Sequence, residues 1–160
     1  MPLYTAPRIS ILGASAVAVS GPADTNENIL ATVTIPAGAM GLNGILRVYH
    51  AWTVTSSGNN KILRVRFGGI GGTGFATNTL TTSVSAVGIT HIANRGVANS
   101  QVGPSNASSI FQGVTSGTGN ALTTSSIDTS AATTLVLTGQ KASAGETLTL
   151  ESYLCELILP

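Results

Sequence analysis

Charge is what this sequence has least of. Only 8% of its 160 residues are Asp, Glu, Lys or Arg, 7 cations against 6 anions, where an ordinary soluble domain carries about 25%. The balance excludes the basic surplus of a nucleic-acid binder and the Glu/Lys-rich pattern of a coiled coil. Cys155 is the single cysteine, so neither an intramolecular disulfide nor a multi-cysteine zinc site can form. No apolar run reaches the roughly 18 residues of a membrane helix. No secretory signal is legible either: a basic n-region is missing, and Ser10, Gly13 and Ser15 interrupt the stretch from Ile9 to Val19. Carboxylates are absent between Glu27 and Asp128. The six present (Asp24, Glu27, Asp128, Glu146, Glu151 and Glu156) show no spacing that pairs two across a cleft for acid/base or glycosidase work.

What is present is Gly (19 residues), Ser and Thr (39 together) and a positive mean hydropathy of +0.35. High hydropathy with little charge has two readings. One is a small β domain coated in hydroxyls. The other is a protein that hides surface against copies of itself or a partner, since free monomers rely on charge for solubility.

Alternation of apolar and polar residues recurs along the chain, and helical periodicity does not. Ile29, Ala31, Val33 and Ile35 form one strand face, ended by Pro36-Ala37-Gly38. Leu46, Val48, His50, Trp52 and Val54 form another. Leu63, Val65 and Phe67 form a third, with Ile62, Arg64 and Arg66 opposite. The loop Ser56–Asn60 between the last two reads as a hairpin connection, and Trp52, Leu63, Val65 and Phe67 are expected in the core. Further strands are expected over 79–90, 133–138 and 147–159, with a turn over 139–145. A long Ser/Gly/Asn-rich loop covers 98–120, pinned by Ile110 and Phe111. In the last strand Leu148 and Leu150 are out of phase with Tyr153, Cys155, Leu157 and Leu159. Either a bulge near Glu151-Ser152 restores the phase, or the strand is buried on both faces at a subunit contact. The sum is an all-β fold: a single antiparallel β-sandwich of jelly-roll type with about eight strands over 14–160, preceded by an extended arm over 1–13.

Chemistry is hard to find. Gly69-Ile70-Gly71-Gly72-Thr73-Gly74 matches GxGxxG, but no helix pattern and no acidic residue about 20 positions on follow it. It reads as a surface loop that needs positive φ. His50 and His91 lie singly on strand faces, and Cys155 sits in an apolar strand where a thiol stays protonated. No catalytic, metal or cofactor-binding residue is expected. Without a secretory route, the sequon at Asn106 is chance. Arg47, Lys61, Arg64, Arg66 and Arg95 hold five of the seven cations. If 44–55 pairs with 61–67, then Arg47, Arg64 and Arg66 share a face. That face meets an anionic partner, nucleic acid or an acidic protein patch, or it is a solvated sheet face, or it pairs with Glu146, Glu151 and Glu156 across a subunit contact, the contact reading being favoured.

Four segments carry a resemblance: ATVTIPAGAMGLNGILRV (31–48), SGNNKILRVRFGG (57–69), IANRG (92–96) and LTGQKASAGETLTLESYLCELI (137–158). Together they make about half of the chain, and they are similar to phrases in small bacteriophage virion structural proteins with jelly-roll or fibre-head domains. The resemblance implies a virion component, made in the bacterial host cytoplasm and built as a homo-oligomer, without an active site. The chain begins at Met1 with no shaft of heptads or β-helical repeats ahead of the domain. This favours a capsid decoration protein (cement, head-fibre or head-spike) bound to the major capsid protein. The alternative is a tail-fibre or tail-tip module recognising host carbohydrate, whose mark would be exposed aromatics. A trimer is expected, with no nucleic-acid or membrane partner. The expected contact residues are Leu3, Tyr4, Arg8 and Ile9 of the arm, Arg47, Arg64 and Arg66 of the body, and Tyr153, Leu157 and Leu159 of the last strand.

Overall fold

A computed structural model describes residues 8–104 and 122–160. Eleven strands are present among them: β1 (Arg8–Ser15), β2 (Val19–Ser20), β3 (Asn28–Ile35), β4 (Ile45–Val54), β5 (Lys61–Phe67), β6 (Thr73–Leu80), β7 (Ser85–Asn94), β8 (Gln101–Gly103), β9 (Thr123–Ser125), β10 (Thr133–Lys141) and β11 (Leu148–Leu159). The described residues contain no helix. The eight long strands pair from the outside of the sequence inward: β1 with β11, β3 with β10, β4 with β7, β5 with β6. Rolled up, this nested hairpin makes two antiparallel sheets, β1-β11-β4-β7 and β3-β10-β5-β6. That order is a jelly roll. Short strands β8 and β9 extend the first sheet beyond β7, and β2 pairs with β11.

Alternation explains the core. Leu63, Val65 and Phe67 of β5 point inward, as do Leu46, Val48 and Trp52 of β4, and all six are almost fully buried. Phe67 meets Phe75 edge to face, ring centroids 6.4 Å apart. In β11 the register slips between Leu150 and Ser152, and this bulge lets Leu148, Leu150, Cys155 and Leu157 all enter the core. The glycine loop after β5 turns on Gly68 and Gly69, at φ 90° and 80°, which side chains with a Cβ rarely adopt.

Several sequence expectations are corrected. Strands β4 and β5 are not a hairpin, because the loop between them crosses from one sheet to the other. Each has one apolar face, and the two faces meet across the sandwich instead of lying side by side. The strand expected over 79–90 bends at 81–84, dividing β6 from β7. Strand β10 runs on to Lys141, three residues into the expected turn. Ile29 is 44% exposed, because a register shift opposite Leu137/Thr138 moves it off the face of Val33 and Ile35. Residues 8–13, placed in the arm, belong to β1, whose pairing with β11 starts at Arg8 opposite Leu159. Residues 1–7, with Leu3 and Tyr4, and the expected pin at Ile110-Phe111 lie outside the described residues.

Candidate interaction face

The two outer faces of the sandwich differ in chemistry. The outer face of β3-β10-β5-β6 is mostly polar: Thr32, Thr34, Thr134, Thr138 and Gln140 stand beside Arg64 and Arg66, with Ile29, Ile62 and the buried Val136 among them. Glu27 lies across it. It accepts from Arg66 at 2.6 and 2.8 Å, sits 3.2 Å from Arg64 and accepts from the Thr138 hydroxyl. Those bonds and both cations outweigh burial and hold its carboxyl below the usual carboxylate range.

The outer face of β1-β11-β4-β7 is mostly apolar. Register places its rows: Ile9, Ile158, Ile45 and Ala93; then Ile11, Glu156, Arg47 and His91; then Ala14, Leu154, Tyr49 and Ile89; then Ser152, Ala51 and Val87; and last a polar row of Ser20, Thr149, Thr53 and Ser85, where the Thr53 hydroxyl donates to Glu151. Ile9, Ile11 and Val87 are 59%, 67% and 75% exposed. The one ion pair of the face closes on itself. Arg47 reaches Glu156 at 2.6 and 2.8 Å and lies 5.5 Å over the Tyr49 ring. Between Ala14, Tyr49, Ala51, Val87 and Leu154 runs an open groove of about 570 Å³.

This arrangement redistributes the expected contact residues. Arg47 and Ile9 lie on the apolar face. Arg64 and Arg66 lie on the opposite side of the molecule and cannot share a surface with Arg47. All three arginines pair within the chain, with Glu156 or Glu27. Arg8 is exposed at the start of β1. Leu157 is 3% exposed and, like Tyr153 and Leu159, packs on the core. The bulge sets these three inward and turns their neighbours Leu154, Glu156 and Ile158 outward. Apart from Arg47, the outward residues of β4 and β7 were missed as contacts, although Tyr49, Ile89 and Val87 alternate regularly with core residues. Of the aromatics a sugar would stack on, Trp52, Phe67 and Phe75 are buried.

No metal-binding group of three His, Cys, Asp or Glu side chains exists among the described residues. Burial and the nearby Glu156 charge push the Cys155 thiol up to about 12, so it is inert. His50 points into the sandwich, where its Nδ1 accepts from Trp52 Nε1 at 2.8 Å. A Cβ on Gly88 would stand 2.4 Å from the imidazole, so only glycine permits this approach. The ring lines a void of about 20 Å³, and its Nε2 meets no hydrogen-bond partner.

Burial pushes His50 down to about 4 from an ordinary 6.5. Between these values the unfolded chain holds the proton and the fold excludes it. Stability is therefore complete above about pH 6.5 and falls as pH drops toward about 4, by about 2 kcal/mol at pH 5. Burial and the Arg47 charge lower His91 as well, adding to the same slope. Thermal midpoints at pH 7 and pH 5 check this. His50→Gln, which keeps an acceptor for Trp52, is expected to flatten most of the difference, and an unchanged difference would remove His50 from it.

No protein-family model and no curated protein matches the chain. Solved structures of an infectious bursal disease virus protein are similar over 96% of it. The VP2 subviral particle is 13% identical with a TM-score of 0.41, and the Gt strain is 14% identical with a TM-score of 0.37. The chain spans 32% and 33% of those chains, about a third of their length. The jelly-roll assignment rests on the strand order, independently of these neighbours.

Proposed function

We propose that this protein is a structural component of a bacteriophage virion: a capsid decoration subunit that assembles as a homo-oligomer, a trimer by preference, and binds the major capsid protein. The observation that carries the reading is the contrast between the outer faces. One is hydroxyl-rich and charged, as water requires. The other presents rows of apolar side chains across four strands, its one ion pair closed on itself and its hydroxyls and Glu151 gathered at the Thr53 end, as a protein neighbour requires. The sequence resemblance supports the virion setting, and each carboxylate that pairs with a cation does so for structure. Leu3 and Tyr4, just ahead of β1 in the sequence, are partner or subunit contacts in this reading.

The test adds purified protein to particles lacking it and measures co-sedimentation. Saturable binding to heads is the expected result. A variant lacking residues 2–7 keeps β1 intact and should bind at least tenfold more weakly. Binding to tails alone, or to host-surface glycan, would favour a receptor module instead.

A further inference from the structure

We infer that the outer face of β1-β11-β4-β7 is covered by a second copy of this chain. The inference deepens the homo-oligomer part of the proposed function and names its surface.

Charge narrows the choice of occupant. From the row of Ile9 to the row of Ser152 the face has one cation and one carboxylate, bonded to each other at 2.6 Å, and Glu151 lies beyond them, accepting from the Thr53 hydroxyl. Those four rows offer no net charge for an acidic or basic partner to select, and a neutral apolar surface is complementary to itself. Two copies also bring two Arg47–Glu156 pairs into one interface, where antiparallel placement lets each arginine approach the other copy's carboxylate.

Area gives the second argument. Four strands about 4.8 Å apart, each contributing about eight residues at about 3.3 Å, make a face on the order of 500 Å². Two such faces bury about 1,000 Å², roughly what a specific protein interface needs. In a three-fold ring the face turns toward the axis and is divided between both neighbours, so the same residues are covered.

The edge gives the third. Strand β1 ends the sheet and pairs on one side only, with β11. Its guards against a neighbour are Arg8 at its start and a bulge between Ile11 and Gly13, and between them Ile9 and Ile11 are the most exposed side chains of their rows. A neighbouring copy on this face covers the edge isoleucines too.

The test uses the full chain at micromolar concentration and two readouts. Light scattering of the wild type should give a multiple of 16.1 kDa, and Leu154→Glu should give the monomer. Thr34→Glu, on the polar outer face, should leave the multiple unchanged, and circular dichroism should show both variants folded. For the second readout, Val87→Cys and Thr32→Cys are titrated separately with a maleimide, Cys155 being buried and silent. The Val87→Cys thiol should react at least tenfold more slowly than Thr32→Cys, and Leu154→Glu should remove that protection. A monomeric wild type with a freely reactive Val87→Cys thiol would overturn the inference. A monomer whose Val87→Cys thiol is protected until residues 1–7 are removed would also overturn it, and would give the face to the chain's own first residues. A monomer protected only when particles are added would assign the face to the capsid protein, overturning the inference while leaving the virion reading intact.

Discussion

Phe67→Ala is expected to lower folding stability by about 3–5 kcal/mol, because a large core aromatic leaves both lost burial and a cavity. Phe67 is fully buried and meets Phe75 edge to face, so the substitution also removes an aromatic pair worth about 1 kcal/mol. Its backbone is held between β10 and β6, opposite Leu135 and Thr73, which limits collapse of the cavity. For a chain of this size the thermal midpoint should fall by roughly 8–15 °C. Arg64→Ala, outward on the same strand, should cost far less, since its pairing with Glu27 is partly solvated. Equal midpoints for wild type and Phe67→Ala would contradict the face assignment of β5 and, with it, the register of the second sheet.

The second large effect is expected at Gln101, a fully buried polar residue. Its Nε2 donates to Asn94 Oδ1, Ala98 O and Ile127 O at 2.9–3.0 Å, and its Oε1 accepts from Ser125 Oγ and Ile127 N. Asn94 in turn donates to Gly41 O and Thr129 Oγ1. This network ties β7 and β8 to the loop from Ser125 to Thr129. Gln101→Leu keeps the volume and breaks five bonds, leaving buried groups that each cost about 1–3 kcal/mol when unpaired. A loss of about 3–5 kcal/mol is expected after local relaxation. Hydrogen exchange gives a local check: the Ile127 amide should lose protection while the amides of β5 keep theirs at conditions that preserve the fold. Unchanged exchange at Ile127 would mean that the network does not hold this end of the sandwich.

Alternation made much of the fold legible. It gave the inward faces of β4 and β5, and the change of phase from Leu148 and Leu150 to Tyr153, Cys155, Leu157 and Leu159 offered the slip in β11 as one of two readings. It says which side of a strand is apolar, however, and not which sheet the strand joins. Two strands with inward apolar faces can pair or oppose each other, which is why β4 and β5 read as a hairpin. The bend at 81–84 was invisible because Thr81-Thr82-Ser83-Val84 has no Gly or Pro and suits a strand by composition. Gln101 was hidden for the opposite reason: in a stretch rich in Ser, Gly and Asn, a buried amide looks like any other loop residue. The interaction face was half legible. The last strand is apolar on both sides, which raised a subunit contact as one of two explanations. The bulge accounts for its inward residues, and Leu154 and Ile158 remain outward and apolar beside Tyr49 and Ile89 of the neighbouring strands.

A density map of the intact virion shows whether this jelly roll is a decoration subunit of a phage head. Eight-strand sandwiches are expected on the outer capsid surface, grouped about a symmetry axis with their β1-β11-β4-β7 faces against one another. Sandwiches found only at the tail tip, or absent from purified particles, would contradict the decoration role.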